Sequence, residues 1–368
     1  MINKFNKFNE GFAGEVNQGD DTYKLYELLY YAFDWDDNIL NMPTEIVLLD
    51  TGGNEVGMST ADFAEYRSEI GKGEFDYNGH SIVSFAENPF RNFRDEVDPE
   101  IFVKDVKKAL DQNLKAKSWE DFIECLTTGS LFAIITARGH EPEPMREGVE
   151  LIISQLSSDE RRKMIEHLKM YKYHYDQDVN VDENKLISDY LDVCEFIGVS
   201  APSRGGSPEN PEKAKEDAFM AFVDKCNKFA KDLETRFNES GADKWKVIAK
   251  IGFSDDDSKN VKHINDVVKD LHHEVYSNVK EFVVKDTGKQ EIEKNVYTKE
   301  SRIKNFKDFG LVYEASAGVI SSLPNAAMSG GMNSQDPYVT RNIQQGNFLA
   351  KLSKEIFGKH ESKRRKKK

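Results

Sequence analysis

Cysteine is scarce in this chain of 368 residues, which has three: Cys125, Cys194 and Cys226. They lie far apart and form no CxxC spacing, so a disulfide framework and a cysteine-based zinc site are both excluded. Apolar stretches are also short, because no run approaches the roughly 18 residues that a membrane-spanning helix needs. The first residues, MINKFNKFNEGFAG, lack the apolar core of a signal peptide. These absences predict a cytoplasmic protein with no membrane segment.

Positive charge is in the minority: 51 Lys and Arg residues stand against 65 Asp and Glu, which gives a net charge of −14. The last six residues, KRRKKK, contribute +6, and taking this from −14 leaves −20 for the rest of the chain. This negative charge outside the last six residues disfavours nucleic-acid binding by the domain as a whole. We predict that the basic tail is a disordered solubilising end, with binding to nucleic acid or anionic surfaces as the open alternative.

Apolar runs and helical periodicities alternate along most of the chain. The apolar runs predict strands at residues 25–33, 44–50, 131–135, 196–199 and 247–253. Amphipathic periods predict helices between them, for example in DPEIFVKDVKKALDQNL. The run LFAII is apolar on both faces, which is typical of a central strand in a parallel sheet. This alternation predicts an α/β fold with a doubly wound parallel sheet.

The same patterns divide the chain into three parts. Residues 1–26, which are rich in Asn, Gly and charge, are predicted to form a flexible arm before a folded domain at 27–285. Two insertions are predicted in that domain, at about 41–130 and 151–190, and both are long enough to cover a site. Residues 286–368 are predicted to be a partly disordered extension with a basic end, because periodicity weakens there and a Ser/Gly/Asn/Pro-rich stretch resembles a linker.

Carboxylates gather in the stretch FDWDDNIL, where three follow the apolar run directly: Asp34, Asp36 and Asp37. Like charges this close repel one another, and burial adds to the cost unless something compensates. A divalent cation, a basic side chain and the amides of a helix N-terminus are the available compensators. The pattern repeats at Asp255 and Asp256, which follow the predicted strand at 247–253.

Two further residues belong with these acids. Thr136 follows the predicted strand at 131–135, and Lys215 lies near the start of a long helix predicted in EKAKEDAFMAF. Because the carboxyl ends of parallel strands meet at one edge, we expect these side chains to converge with the acids. Such a set suits phosphoryl transfer: one carboxylate attacks phosphorus, a second moves the proton, and the hydroxyl and ammonium hold phosphoryl oxygens. Mg²⁺ held by the carboxylates would relieve their repulsion.

Taken in sequence order, the stretches around Asp34, Thr136, Lys215 and Asp255 resemble motifs I to IV of the haloacid dehalogenase (HAD) superfamily. Motif I of that family is an apolar run followed by DxDx(T/V)(L/V), and this chain has AFDWDDNIL. LFAIITARG resembles motif II, and IGFSDDDSKN resembles motif IV. The departure is Asn38, where Thr or Val is usual; we expect it to be tolerated because that position braces the loop. The resemblance covers about residues 27–270 and implies a HAD-like, Rossmann-like fold with cap or flap insertions.

The resemblance implies the reacting groups. Asp34 is the expected nucleophile, which forms an aspartyl-phosphate, and Asp36 is the expected general acid and base. Asp37 is expected to be a bystander in the turn. The cofactor implied is Mg²⁺, and its expected ligands are four carboxylates: Asp34, Asp36, Asp255 and Asp256.

The resemblance also implies the groups that hold the substrate. Thr136 is the expected motif II hydroxyl. Motif III is a lone lysine, for which Lys215 is our choice and Lys213 is nearly as good. Arg138, two residues after Thr136, is predicted to contact substrate or to pair with a site carboxylate.

Rival interpretations stay open at this point. A calcium loop of the EF-hand type starting at Asp34 is disfavoured, because Ile39 replaces the glycine that the turn requires and Pro43 interrupts the loop. The predicted function is Mg²⁺-dependent hydrolysis of a small phosphomonoester. The alternatives are a polynucleotide end-phosphatase that holds nucleic acid through the basic tail, and a non-enzymatic HAD-fold structural or interaction protein, for instance of a large phage.

Overall fold

A computed structural model describes residues 11–296 of the chain, apart from 19–20, 97, 177–181, 207, 209, 241–242 and 272–274. The first ten residues of the predicted arm lie outside the described part. So do the predicted linker and the basic tail of the C-terminal extension.

Strands and helices alternate in this part of the chain, and the predicted α/β class is confirmed. The strands are β1 (Gly11–Gln18), β2 (Asp21–Phe33), β3 (Glu45–Asp50), β4 (Glu55–Ser59), β5 (Phe75–Tyr77), β6 (His80–Phe85), β7 (Leu131–Thr136), β8 (Glu195–Gly198), β9 (Trp245–Asp255), β10 (Val279–Asp286) and β11 (Glu291–Val296). The helices are α1 (Thr60–Tyr66), α2 (Ile101–Asp111), α3 (Trp119–Thr128), α4 (Pro142–Ser154), α5 (Ser158–Asp176), α6 (Glu183–Leu191), α7 (Pro211–Ser240) and α8 (Ser258–Lys269). No helix among the described residues has the length and apolar character to cross a membrane.

The main sheet has seven strands and is mostly parallel. Its order is β11-β10-β9-β2-β7-β8, and β1 pairs with the first half of β2. The pairs β10–β9, β9–β2, β2–β7 and β7–β8 are parallel, whereas β1 and β11 pair antiparallel with their neighbours. From β2 the chain proceeds to β7 and β8 on one side and later to β9 and β10 on the other. The strand order therefore reverses between β2 and β9.

Helices cover both faces of this sheet. Successive side chains of a strand point to opposite faces, so alternate residues of β7 pack in two different cores. Phe132 and Ile134 of β7 pack into a core with residues of α2 to α6. Ala133 and Ile135 pack on the opposite face, in a core with residues of α7 and α8. This double burial explains the continuous apolar run of β7, since neither face of the strand meets water.

A second, antiparallel sheet lies between β2 and α2 in the sequence, with the order β4-β3-β6-β5. It has its own small core, which includes Ile46, Leu48, Met58 and Ile82. Strand β3 agrees with the strand predicted at residues 44–50, and β4 pairs with it as a hairpin. β5 and β6 were not predicted, because aromatic residues, Gly and Pro mask the alternation in that stretch.

The prediction of a flexible arm over residues 1–26 is wrong for residues 11–18 and 21–26, which form β1 and the first part of β2. The two strands pair from Gln18 with Asp21 to Gly11 with Glu27. The Asn- and Gly-rich composition concealed this hairpin, although Gly19-Asp20 is a two-residue hairpin signal. The main sheet therefore begins earlier than predicted.

Two other predicted boundaries also change. The folded part extends past residue 285, because β10 ends at Asp286 and β11 adds a charged edge strand, as exposed edges often require. In the predicted insertion at 151–190, α5 and α6 bury Met164, Leu168 and Leu186 in the same core as β7. These two helices belong to the helix layer of the main sheet. In the predicted insertion at 41–130, α2 and α3 do so too, which leaves the small antiparallel sheet as the separate unit.

Candidate active site

The candidate site lies at the carboxyl ends of β2 and β9, where the strand order reverses. In open α/β sheets this position forms a crevice in which ligands bind. Asp34 is the first residue after β2, and Asp255 is the last residue of β9. The backbone N–H of Asp34 donates to the carbonyl of Ser254 at 2.9 Å, which fixes the two strand ends side by side.

Three acids meet at this edge, in agreement with the predicted convergence. One carboxylate oxygen from each of Asp34, Asp255 and Asp256 lies within 4.8 Å of the other two. Burial, opposed in part by Lys215, raises the pKa of Asp34 well above its ordinary value, and Asp255 and Asp256 add to the rise. Burial and then the charge of Asp255 raise the pKa of Asp256 to about 7. In their ionised forms, the three carboxylates therefore repel one another and lack full compensation within the cluster.

Lys215 is the cation that contacts this cluster. Its Nζ donates to Asp255 Oδ2 at 2.8 Å and lies 3.1 Å from Asp34 Oδ1. Burial disfavours the ammonium, but the charges of Asp255 and Asp34 outweigh burial and raise the pKa of Lys215. Two residues along a helix correspond to about 200° of rotation, so Lys213 faces away from the site and pairs with Glu216. The geometry thus distinguishes between the two candidate lysines in favour of Lys215.

The two buried carboxylates differ in their hydrogen bonds. Asp255 is fully buried and accepts from the Asp257 N–H at 2.9 Å and from Asn260 Nδ2 at 3.1 Å to each oxygen. Asp257 caps α8, and its side chain accepts from the Lys259 N–H at 2.8 Å. Asp34 Oδ1, by contrast, is buried, and among the described residues its polar contact is the ion pair with Lys215 Nζ at 3.1 Å. One oxygen of Asp34 therefore has unused capacity for a ligand.

No protein-family model, curated protein or solved structure matches this chain. The chemistry of the site is therefore inferred from its residues and their geometry. Asp34, Lys215, Asp255 and Asp256 combine three acids with one base at the position where α/β sheets bind ligands. Such an arrangement can provide a carboxylate nucleophile, a fixed cation and a set of oxygen ligands for a hard metal ion.

Asn38 joins the elements that form the site. It is fully buried, and its Nδ2 donates to the Asp34 carbonyl at 3.0 Å and to the Ser254 carbonyl at 3.1 Å. Its Oδ1 accepts from Ser118 Oγ and from Thr287 Oγ1, each at 3.0 Å. The side chain thus connects the ends of β2 and β9 with the start of α3 and the β10–β11 turn. This bracing agrees with the expectation that the residue departing from the family motif supports the loop.

Replacing Asn38 with Ala is expected to lower the free energy of unfolding by about 3 kcal/mol, because each buried polar group left without a partner costs roughly 1–3 kcal/mol. Urea denaturation measures the change. Asn41→Ala is the matched control in the same loop, since Asn41 is exposed and donates one bond, to the Lys115 carbonyl. Its substitution should cost less than about 1 kcal/mol. Equal losses in the two variants would contradict the bracing role of Asn38.

Asp36 and Arg138 pair with each other, away from the acid cluster. Arg138 Nε donates to Asp36 Oδ2 at 2.7 Å, and Nη2 donates to Oδ1 at 2.6 Å. The Arg138 side chain is 1% exposed and that of Asp36 is 17% exposed. The Asp36 carboxylate is not one of the three clustered acids, contrary to its predicted place among the metal ligands. Arg138 takes the open alternative, a pair with a site carboxylate, and its side chain is buried.

The surroundings of Arg138 hold its guanidinium in place. Nη2 also donates to Thr44 Oγ1 at 2.7 Å, and Nη1 lies 3.3 Å from His140 Nε2. The guanidinium carbon lies 4.8 Å from the centre of the Phe93 ring and 5.3 Å from that of Phe102. Removing a carboxylate from such a buried pair costs about 3–5 kcal/mol, because the remaining charge is left without compensation.

His140 extends this arrangement to Asp95. Its Nδ1 lies 2.7 Å from Asp95 Oδ1, and the ring is fully buried. Burial and the neighbouring Arg138 charge lower the pKa of His140 to about 4. The neutral ring therefore donates from Nδ1 to Asp95 and accepts from Arg138 at Nε2. His140 brings no negative charge to the guanidinium.

Thr136 and Asp37 lie beside the cluster. The Thr136 hydroxyl accepts from the Arg138 N–H at 3.4 Å, and among the described residues it makes no hydrogen bond to Asp34, Asp255 or Lys215. Its own hydrogen remains available for a ligand. Asp37 has a left-handed backbone with φ 51°, and its carboxylate accepts from Thr60 Oγ1 at 2.8 Å. That bond ties the start of α1, beside the small antiparallel sheet, to the loop after β2.

The turn between β10 and β11 supports the acids. The sequence analysis missed this turn because it assigned the residues after 285 to the extension. The Thr287 N–H donates to the Asp255 carbonyl at 3.0 Å, and Lys117 Nζ donates to the Thr287 carbonyl at 2.7 Å. A Cβ on Gly288 would lie 2.4 Å from the Asp256 carbonyl oxygen, so this close approach requires glycine. Thr-Gly between two strand-like runs was the signal that could have revealed the turn.

Proposed function

We propose that this protein is a Mg²⁺-dependent phosphohydrolase of the HAD type that forms an aspartyl-phosphate on Asp34. The observation that carries the proposal is the direct contact of Lys215 with Asp34 and Asp255 at the reversal point of a parallel sheet. The strand order β8-β7-β2-β9-β10 and the helices on both faces support a doubly wound, HAD-like architecture.

The residues present fit a divalent cation. Three clustered carboxylates and one ammonium leave two negative charges uncompensated when all four groups are ionised. Asp34 Oδ1 is buried with a single ion-pair contact among the described residues, Lys215 Nζ at 3.1 Å, and oxygen atoms are the ligands that Mg²⁺ prefers. Asp34, Asp255 and Asp256 would hold the ion. When bound, Mg²⁺ supplies the positive charge that allows a phosphate dianion to approach a carboxylate.

The protein groups have separate tasks in the proposed reaction. An oxygen of Asp34 attacks phosphorus and replaces one difficult displacement by two easier ones. Lys215 is fixed by Asp255, so its ammonium is positioned to hold a phosphoryl oxygen as charge moves in the transition state. Thr136 offers a hydroxyl hydrogen at the end of the neighbouring strand. Asn38 and Asn260 keep the two acids in place through the bonds described above.

The small antiparallel sheet is proposed to act as a cap beside the site. It is joined to the site loops through Asp37 and Thr60 and through a backbone bridge between Arg94 and Gly139. A cover at this edge favours small phosphorylated substrates and excludes water from the reaction. The nucleic-acid alternative depends on the basic tail, which lies outside the described residues.

Hydrolysis of 4-nitrophenyl phosphate tests the proposed function. We expect turnover with Mg²⁺ that disappears with EDTA and returns when Mg²⁺ is restored, because the acid cluster needs a cation to accept a phosphate. Mg²⁺ should also raise the melting temperature of the wild type, and Asp256→Asn should reduce that rise. Turnover that is unaffected by EDTA, or no turnover with any divalent cation, would refute the proposal.

A further inference from the structure

We propose that the site acts on phosphate monoesters that carry an aromatic group several atoms away from the phosphate, and that exposed phenylalanines of the small antiparallel sheet bind this group. The inference rests on the proposed function and adds a substrate class to it. It comes from a cluster of three neighbouring rings, Phe63, Phe85 and Phe90, which we call the aromatic patch.

The aromatic patch is partly open to solvent. The ring centres of Phe63 and Phe90 lie 5.6 Å apart, and those of the other two pairs lie 6.1 Å apart. Phe85 is 38% exposed and Phe90 is 39% exposed, and among the described residues only two other large apolar side chains are exposed. Scattered exposed apolar residues are common on proteins, whereas adjoining ones mark surfaces that bind a ligand or a partner.

Packing within the fold does not account for the two exposed rings. Phe63 packs against the small core of the antiparallel sheet, and so does Phe93. Neither Phe85 nor Phe90 is part of the three apolar cores that the described residues form. These two rings extend the cluster outwards from the small core, so their apolar surface is available to a ligand.

A first connection between the aromatic patch and the site runs through α1. Thr60, the first residue of this helix, donates its hydroxyl hydrogen to Asp37 at 2.8 Å. Phe63 follows three residues later, so it lies on the same side of the helix as Thr60. Asp37 belongs to the loop that begins with the proposed nucleophile, Asp34. Phe63 is therefore held next to the site loop.

A second connection runs through residues 90–93. The ring centres of Phe90 and Phe93 lie 6.2 Å apart, and the Phe93 ring lies 4.8 Å from the guanidinium carbon of Arg138. Arg138 in turn donates two hydrogen bonds to Asp36. The Phe93 carbonyl accepts from the Gly139 N–H at 2.9 Å, which fixes this segment to the loop after β7. The aromatic patch thus adjoins the site loop through two independent sets of contacts.

These contacts also define the form of the substrate. Asp36 follows Asp34 by two residues, which span at most about 7 Å of extended chain, and Arg138 and Phe93 lie between Asp36 and the patch. A ring bonded directly to a phosphate oxygen would stay beside Asp34, whereas a ring on a chain of several atoms can reach the patch. Glu87, between Phe85 and Phe90 in the sequence, is exposed, which disfavours a second anionic group on the substrate.

Phenylalkyl phosphates of increasing chain length test this inference, because their leaving groups are primary alcohols of similar basicity. The probes are benzyl, 3-phenylpropyl and 5-phenylpentyl phosphate, and the references are methyl, propyl and pentyl phosphate, which lack the ring. For the wild type with Mg²⁺ we expect the best phenylalkyl phosphate to exceed its reference by at least about 10-fold in kcat/KM, as for a ring that stacks on aromatic side chains. The optimum should lie at a chain longer than that of benzyl phosphate. No effect of the ring at any chain length would overturn the inference.

Phe90→Ala should remove most of this preference. We expect the ratio of kcat/KM between the best phenylalkyl phosphate and its reference to fall to within about 3-fold of unity, while kcat/KM for the reference stays within about 2-fold of the wild type. Phe90→Trp, which keeps an aromatic ring, should retain the preference. Ile292→Ala is the matched control, since Ile292 is 42% exposed on β11, outside the small sheet, and the ratio should not change.

The outcomes separate this inference from the proposed function. Equal losses of kcat/KM for phenylalkyl and alkyl phosphates in Phe90→Ala would mean that the ring supports the fold, and would overturn the inference. If that variant does not fold, Phe85→Ala gives the same readout. Turnover of 4-nitrophenyl phosphate without turnover of any phenylalkyl phosphate would refute this inference alone. No turnover of any of these phosphates, 4-nitrophenyl phosphate included, would refute the proposed function itself.

Discussion

Asp34→Asn is expected to lower the turnover of 4-nitrophenyl phosphate by at least about 10³-fold, since loss of a covalent nucleophile removes the reaction path itself. The amide keeps the shape of the side chain but is a poor nucleophile. Steady-state kinetics at saturating Mg²⁺ measures the loss. Acid quenching of the wild type during turnover should also yield a phosphorylated peptide that contains Asp34.

Asp37→Asn is the matched control for that experiment. Asp37 lies in the same stretch, FDWDDNIL, but its carboxylate accepts from Thr60, and Asn tolerates its left-handed backbone. We expect its turnover to stay within about 3-fold of the wild type, as for a substitution outside the reacting groups. Comparable losses in both variants, or phosphorylation of a different peptide, would exclude Asp34 as the nucleophile.

Lys215→Met is expected to produce the largest loss of stability, about 3–5 kcal/mol of unfolding free energy in the presence of EDTA. The substitution removes the ammonium between Asp34 and Asp255 and leaves buried carboxylates facing one another. Guanidinium denaturation followed by circular dichroism measures it. Mg²⁺ should restore part of the loss, because a second cation can compensate the same acids.

Lys213→Met provides the comparison, since both lysines lie in the first turns of α7. Lys213 is half exposed and pairs with Glu216 and Asp217 on the surface, where such pairs contribute about 0–1 kcal/mol. We expect a change within about 0.5 kcal/mol and no response to Mg²⁺. If both variants lose equal stability, Lys215 is not the cation that balances the cluster.

Local patterns in the sequence were sufficient for the central strands and for most helices. The apolar run before Asp34 became β2, and the run LFAII became the core of β7. Strands β1, β10 and β11 were not predicted. Of these, β1 and β11 are polar and owe their conformation to hydrogen bonds with β2 and β10. Where a strand is stabilised by its neighbour more than by burial, composition carries little signal.

Part of the candidate site could be predicted from the same apolar runs that predicted the central strands. Asp34 and Asp255 each end an apolar strand, and strand ends in a parallel sheet converge, so their proximity followed from local pattern and one topological rule. Local sequence did not separate Lys215 from Lys213 clearly, because a lysine near the start of a helix carries no local sign of burial. The structure distinguishes them through contacts with acids on two different strands.

The sequence by itself determined the α/β class, the strand ends that carry the acids, and the identity of the residues available there. Tertiary structure alone decided how those residues are paired: Asp36 with Arg138, 102 positions away, and Asn38 with Thr287, 249 positions away. Apolar runs report burial because burial is averaged over neighbouring residues. The partner of a single carboxylate or amide is set by the fold, which brings distant side chains within 3 Å and leaves no trace in local spacing.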